Sequence, residues 1–184
     1  MTSPKTVIFI SGVARSGTSW LGQIFDSCPS VRFRFQPLFS YEFKDRISFD
    51  SSGKDIECFL NELHQNDAPF LTQSDKRESG EYPVFKKDAN TSDLVFKENR
   101  HLYLIEKMMR VCKRMKLVGI IRNPNAVLSS WMRNQKEFPL GSKPLEEWRF
   151  GDCKNSGHQD FFGYYKWKEV CNIYLDLQDK YPDR

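Results

Sequence analysis

The chain has 184 residues, 39% hydrophobic, 14% aromatic and 28% charged. That is enough for one compact domain with its own core, and it excludes a disordered, collagen-like or disulfide-stapled chain. Twenty-eight basic residues against 24 acidic ones leave a formal charge of +4, too small an excess to mark a nucleic-acid binder but compatible with a local pocket for an anion. No uncharged apolar run reaches the roughly 20 residues of a membrane helix, and Met1 to Lys5 is too short and polar for a signal peptide. A cytoplasmic chain with no transmembrane segment is the expectation. The five cysteines are widely spaced and contain no C-x-x-C pair, which reads as reduced thiols with no zinc site.

Val7-Ile8-Phe9-Ile10 is a continuous apolar run bounded by Ser11-Gly12, the pattern of a strand buried on both faces. Past the glycine turn, Trp20, Leu21, Ile24, Phe25 and Cys28 recur at helical spacing until Pro29. Strand, glycine loop and helix therefore open the chain. Val31, Phe33 and Phe35 alternate with Arg32 and Arg34, as in a strand with one apolar face, and Gln36-Pro37 ends it. Ile56, Phe59, Leu60 and Leu63 outline an amphipathic helix. The polar stretch from Gln73 to Glu81 reads as a loop leading into Tyr82-Pro83-Val84-Phe85 as a third strand. Leu102, Ile105, Met108, Met109 and Cys112 predict a helix, Leu117 to Ile121 a fourth, buried strand, and Phe161 to Tyr181 a closing amphipathic helix. Strands alternating with helices predict an α/β fold on a parallel, doubly wound sheet. Trp20, Trp131, Trp148 and the aromatic run from Tyr164 to Trp167 are read as packing residues.

The first chemistry lies in the turn Gly12-Val13-Ala14-Arg15-Ser16-Gly17-Thr18-Ser19. Against the phosphate-loop pattern G-x-x-x-x-G-K-[ST], both glycines and the last hydroxyl fit, while Thr18 stands in the lysine position. Such a turn gathers backbone N–H groups at a helix N-terminus, where the macrodipole favours an anion. Arg15 adds a charged fork, and Ser16, Thr18 and Ser19 add hydroxyls. A second constellation runs from Gly119 to Trp131. Asn123 suits a helix N-cap and Pro124 the first helical position, so Arg122 is expected at the carboxyl end of a strand and Ser130 about two turns into the next helix. Ligands of open α/β sheets bind at that end, and an arginine with a hydroxyl there suits a second phosphate.

Val7 to Ser19 followed by Leu117 to Trp131 resembles the sulfotransferases that use 3′-phosphoadenosine 5′-phosphosulfate (PAPS). The resemblance implies a three-layer P-loop-like fold with a central parallel sheet flanked by helices. It further implies that Arg15, Ser16, Gly17, Thr18 and Ser19 grip the 5′-phosphosulfate, that Arg122 and Ser130 hold the 3′-phosphate, and that no metal takes part. Arg15 would stabilise the leaving phosphate, standing where many members carry lysine. A lysine near the third strand assists in the family, and of Lys86 and Lys87 the second is preferred. For the base that takes the acceptor's proton, carbohydrate-type members place Glu before a proline after the second strand. Here that position is Gln36, an amide, so Glu42 is taken as the candidate ahead of Asp88, His64 and His158. The resemblance points to a small-molecule or carbohydrate acceptor with a hydroxyl or amine, and to no nucleic acid. Members also continue past the last helix into a strand and a glycine-rich basic segment, so a single, C-terminally incomplete domain over 1–184 is the expectation. Two rivals are an ATP- and magnesium-dependent P-loop kinase of small molecules and a non-catalytic nucleotide-binding module; Thr18 and Arg122 count against the first.

Overall fold

The computed structural model describes residues 3–184. Four strands form one parallel sheet: β1 (Thr6–Ser11), β2 (Val31–Phe35), β3 (Asp93–Glu98) and β4 (Met115–Gly119), in the order β2-β3-β1-β4. The chain is an α/β protein of the P-loop-like, three-layer kind, because alternate side chains of the sheet are covered from both sides. Val7, Phe9, Leu94 and Phe96 pack against α2 (Gly53–Gln65) and α5 (Ile105–Val111). Ile10, Val31, Phe33 and Val95 pack on the opposite face against Leu21 and Phe25 of α1 (Thr18–Asp26). Two short helices, α3 (Pro69–Thr72) and α4 (Ser74–Glu78), lie between α2 and β3. Beyond β4 come α6 (Pro124–Met132), the short α7 (Pro144–Glu147) and α8 (Tyr164–Lys180). Trp131, Phe138 and Phe162 form a separate small core under the irregular segment between α6 and α8. No helix among the described residues is long and apolar enough to cross a membrane.

The opening unit forms where it is expected, with a difference in which side of α1 is buried. The helix presses Thr18, Gly22 and Asp26 inward, and a Cβ on Gly22 would stand 2.5 Å from the Phe33 ring, so only glycine permits this approach to β2. Trp20 consequently points outward and is 72% exposed, with Ile24 beside it at 47%. Trp20 is therefore not a packing residue, whereas Trp131 is fully buried as expected. α2 carries a reciprocal capping box between Ser52 and Asp55, which fixes its start.

Two strand expectations are corrected. Tyr82 to Phe85 forms no strand, and Val84 is exposed; the third strand is Asp93–Glu98, one loop later. Its apolar run is only Leu94-Val95-Phe96, and the following Lys97 and Glu98 are buried by the fold rather than by their own polarity. The fourth strand starts two residues earlier than expected and lies at the edge of the sheet, so Leu117 and Val118 are half-buried rather than enclosed. Part of the Gln73 to Glu81 stretch is the single helical turn and a half of α4. α8 begins after Gly163, and Phe161 and Phe162 pack inward ahead of it. The buried Tyr174 hydroxyl lies 2.6 Å from Ser11 Oγ, which ties α8 to the end of β1.

Candidate active site

At the carboxyl end of the sheet lies a cavity of about 460 Å³ walled by the first glycine loop, the ends of β2 and β3, Arg122 ahead of α6 and Ser130 within it. The loop turns on Arg15, with φ 72°, and Gly17, with φ 102°; at Gly17 a side chain would be strained in this left-handed conformation. Gly17 caps α1 with its backbone alone, so the first N–H groups of the helix have no intrahelical acceptor and remain donors for a ligand. Arg15, Gly17, Thr18 and Ser19 all line the cavity. Ser16 does not: its side chain turns inward, and its buried Oγ has no partner.

The second motif meets the first directly. Asn123 caps α6 as expected, its Oδ1 accepting from the N–H groups of Asn125 at 3.0 Å and Ala126 at 3.3 Å. Arg122 and Ser130 line the same cavity as the loop. Arg122 Nη1 donates to the Arg15 carbonyl at 3.0 Å, and Arg15 Nε donates to Ser130 Oγ at 3.1 Å. From behind, Trp167 of α8 donates its indole N–H to the Arg122 carbonyl at 3.0 Å. Two stretches more than 100 residues apart are thus held as one wall.

The lysine of the site comes from β3. Pairing of β2 with β3 sets Lys97 opposite Phe35, and its ammonium lies 4.3 Å from the centre of that ring. Lys97 Nζ donates to Ser19 Oγ at 3.3 Å and to Asn99 Oδ1 at 3.0 Å. Asn99 in turn donates to Thr18 Oγ1 at 3.3 Å and accepts from Gln36 Nε2. Burial pulls the Lys97 ammonium down to about 8, against the pull of the Glu98 and Glu137 carboxylates. Glu98 is fully buried; its Oε1 accepts from the Leu38 N–H at 2.7 Å, and burial pushes its carboxyl up to about 8. That contact anchors the single 3₁₀ turn Pro37–Phe39 at the rim.

The other anticipated residues lie elsewhere. Lys87 pairs with the buried Asp26 at 2.9 Å and donates to the Asp26 and Cys28 carbonyls, closing the far end of α1. Lys87 does not line the cavity: the loop that holds it reaches the cavity at Tyr82 and carries Lys87 on to the far end of α1. Glu42 is exposed and lines neither this cavity nor its neighbour. His64 is buried at the end of α2 beside Gln65, and the Asp88 N–H donates to the Pro29 carbonyl. Besides Lys97 and Asn99, three lining residues had no recognisable site signal in the sequence: Lys76 and Tyr82, whose ammonium and ring lie 4.7 Å apart, and Glu137, the one carboxylate among the described residues that line the cavity. Glu137 Oε2 stands 4.0 Å from Arg15 Nε. Among the described residues no group of His, Cys, Asp or Glu is arranged to hold a metal ion.

A second cavity of about 560 Å³ adjoins the first across the Pro37–Phe39 turn, and the chain neighbours Asn99 and Arg100 face one cavity each. Its wall combines Phe39, Tyr41 and Tyr103 with Lys44, Asp45 and His158.

No curated protein matches the chain. The profile of the Sulfotransferase family matches residues 7–165, a span that runs from β1 through both halves of the cleft to the start of α8. The chain belongs to the sulfotransferase family.

Proposed function

We propose that the protein moves a sulfuryl group from PAPS to a hydroxyl or amine acceptor, with a carbohydrate hydroxyl as the favoured class, and that residues 1–184 act as one domain. The observation that carries the reading is the junction of two anion-binding elements in one cleft: the open N-terminus of α1 and the Arg122–Ser130 pair, joined through Arg15. Four cations, Arg15, Lys76, Lys97 and Arg122, face one carboxylate there. That balance fits a ligand bearing two separated phosphate groups better than one with a single phosphate.

PAPS, when bound, would supply a sulfur whose bond to the 5′-phosphate oxygen breaks as a new bond to the acceptor oxygen or nitrogen forms, leaving 3′-phosphoadenosine 5′-phosphate, with the acceptor's proton passing to solvent. The chain's part is to hold the reactants in line and to neutralise the departing phosphate. The Thr18 and Ser19 amides and hydroxyls are the donors for the 5′ end, and the Arg15 guanidinium, bonded to Ser130, is shared between that end and the 3′-phosphate. Lys97, rather than Lys87, is the buried ammonium beside them, already bonded to Ser19 Oγ. Arg122 and Ser130 are the donors for the 3′-phosphate. Gln36 and Asn99 are amides: they orient Lys97 and Thr18 and take up no proton.

The neighbouring cavity supports a polyhydroxylated acceptor. Its aromatic faces suit the C–H face of a sugar ring, and Lys44, Arg100, Asp45 and His158 offer both donors and acceptors without a large net charge. Incubation with PAPS and a panel of neutral disaccharides is expected to release 3′-phosphoadenosine 5′-phosphate only when an acceptor is present. Turnover of ATP with magnesium in place of PAPS would reject the reading in favour of a kinase.

A further inference from the structure

Glu137 is at odds with an anion-binding cleft. Among the described residues it is the one carboxylate lining the cavity, its Oε2 is buried without a hydrogen-bond partner, and it stands beside Arg15, which itself contacts Ser130 and Arg122. It is not a loose surface side chain. Asn134 accepts from the N–H groups of Glu137 at 2.9 Å and Phe138 at 2.8 Å, the Glu137 carbonyl accepts from Trp131 Nε1 at 3.3 Å, and Phe138 is buried against Trp131. A built turn therefore delivers this carboxylate to Arg15. Its field also reaches across the cleft, where it helps to hold the proton on Lys97.

We infer that Glu137 is a resident counter-anion in the second phosphate subsite, which a nucleotide's 3′-phosphate must displace from Arg15, and that it thereby sets how strongly the cleft prefers a 3′-phosphorylated nucleotide over one with a free 3′-hydroxyl. The inference rests on the two-phosphate reading of the cleft. Without a ligand, Arg15 Nε donates to Ser130 at 3.1 Å, and the Glu137 carboxylate stands 4.0 Å from it as a charge contact only. A 3′-phosphate entering beside Arg122 and Ser130 meets a like charge at close range, and desolvation in a cleft strengthens that repulsion. A 3′-hydroxyl meets the same carboxylate as a hydrogen-bond acceptor. Glu137 thus penalises the bisphosphate and tolerates the monophosphate, which narrows the preference that Arg122 and Ser130 create.

Calorimetric titration of wild type and Glu137→Gln with 3′-phosphoadenosine 5′-phosphate and with 5′-AMP tests this. Glutamine keeps the shape and leaves the backbone contacts of the turn in place, and circular dichroism checks that both proteins are folded alike. The bisphosphate is expected to bind about tenfold tighter to the variant, with 5′-AMP changed by less than about twofold. Unchanged or weaker bisphosphate binding, or an equal gain for both nucleotides, overturns the inference. Arg122→Ala separates the two levels. If wild type prefers the bisphosphate through Arg122 but Glu137→Gln gains nothing, only the role of Glu137 falls. If neither wild type nor Glu137→Gln prefers it and Arg122 is irrelevant, the two-phosphate reading falls and this inference with it.

Discussion

Arg34 on β2 and Lys97 on β3 are both buried cations on neighbouring strands, yet their surroundings differ in kind. Arg34 is satisfied on every side: it donates to the Phe33, Leu63 and His64 carbonyls and to Asp67 at 2.7 Å, so it closes the end of α2 and fastens the following loop to the sheet. Burial pulls it only to about 10, and it stays charged. Lys97 has no hydrogen-bonded carboxylate; its partners are a hydroxyl, an amide oxygen and an aromatic face. A buried charge with a full set of partners is part of the frame. One held by neutral groups beside an open cavity is poised for an anion that comes from outside.

The contrast is broken most forcefully at Arg34. Arg34→Met leaves buried carbonyls without donors and should cost about 3–5 kcal/mol of stability in urea unfolding, with the bisphosphate affinity of the remaining folded protein unchanged. Lys97→Met should do the reverse. Removing a desolvated charge leaves stability equal or higher, while affinity for 3′-phosphoadenosine 5′-phosphate falls by about 10–100-fold, the worth of one charge-assisted contact. If both substitutions behave alike in the two assays, the distinction between frame and site fails.

The pH dependence sharpens the same point. Only the protonated lysine attracts phosphate, so bisphosphate affinity should decline as pH rises through about 8, the value to which burial pulls Lys97. Stability should move the other way. The unfolded chain holds this proton up to the ordinary lysine range, so between about pH 8 and 10.5 it binds more protons than the folded chain, and the Lys97 contribution to stability rises with pH. Lys97→Met should abolish both slopes, which paired titrations and denaturant melts at several pH values would record. The smallest effect is expected at the α6 cap. Asn123→Ala removes the acceptor for two N–H groups and should cost about 1 kcal/mol of stability, with a few-fold loss of bisphosphate affinity because Arg122 immediately precedes that cap.

Much of this architecture is written in consecutive residues. The run Val7 to Ile10, the two glycines of the loop, the Asn123-Pro124 start of α6 and the helical spacing in α2 and α8 are local signals, and each forms within a few residues of where the sequence places it. What lies outside local pattern is set by tertiary burial. β3 has three apolar residues followed by Lys97 and Glu98, and only its position between β1 and β2 makes those two charges interior. Trp20 shares the helical spacing of Leu21 and Phe25, but the contact of Gly22 with Phe33 decides which face of α1 turns inward. The cleft was legible to the same degree. Its two motifs announce themselves, whereas Lys97 enters through strand register and Glu137 through an irregular turn with no periodicity to read. The lysine expected near the third strand was Lys87, and the site's lysine is Lys97 because the strand itself forms one loop later.

The most direct test of the central claim, that one cleft holds two phosphates between the α1 loop and Arg122, is calorimetric titration of wild type and Arg122→Ala with 3′-phosphoadenosine 5′-phosphate and 5′-AMP. The account predicts a wild-type preference for the bisphosphate that Arg122→Ala removes while 5′-AMP binding persists. Equal binding of the two nucleotides to wild type, Glu137→Gln and Arg122→Ala alike would contradict it.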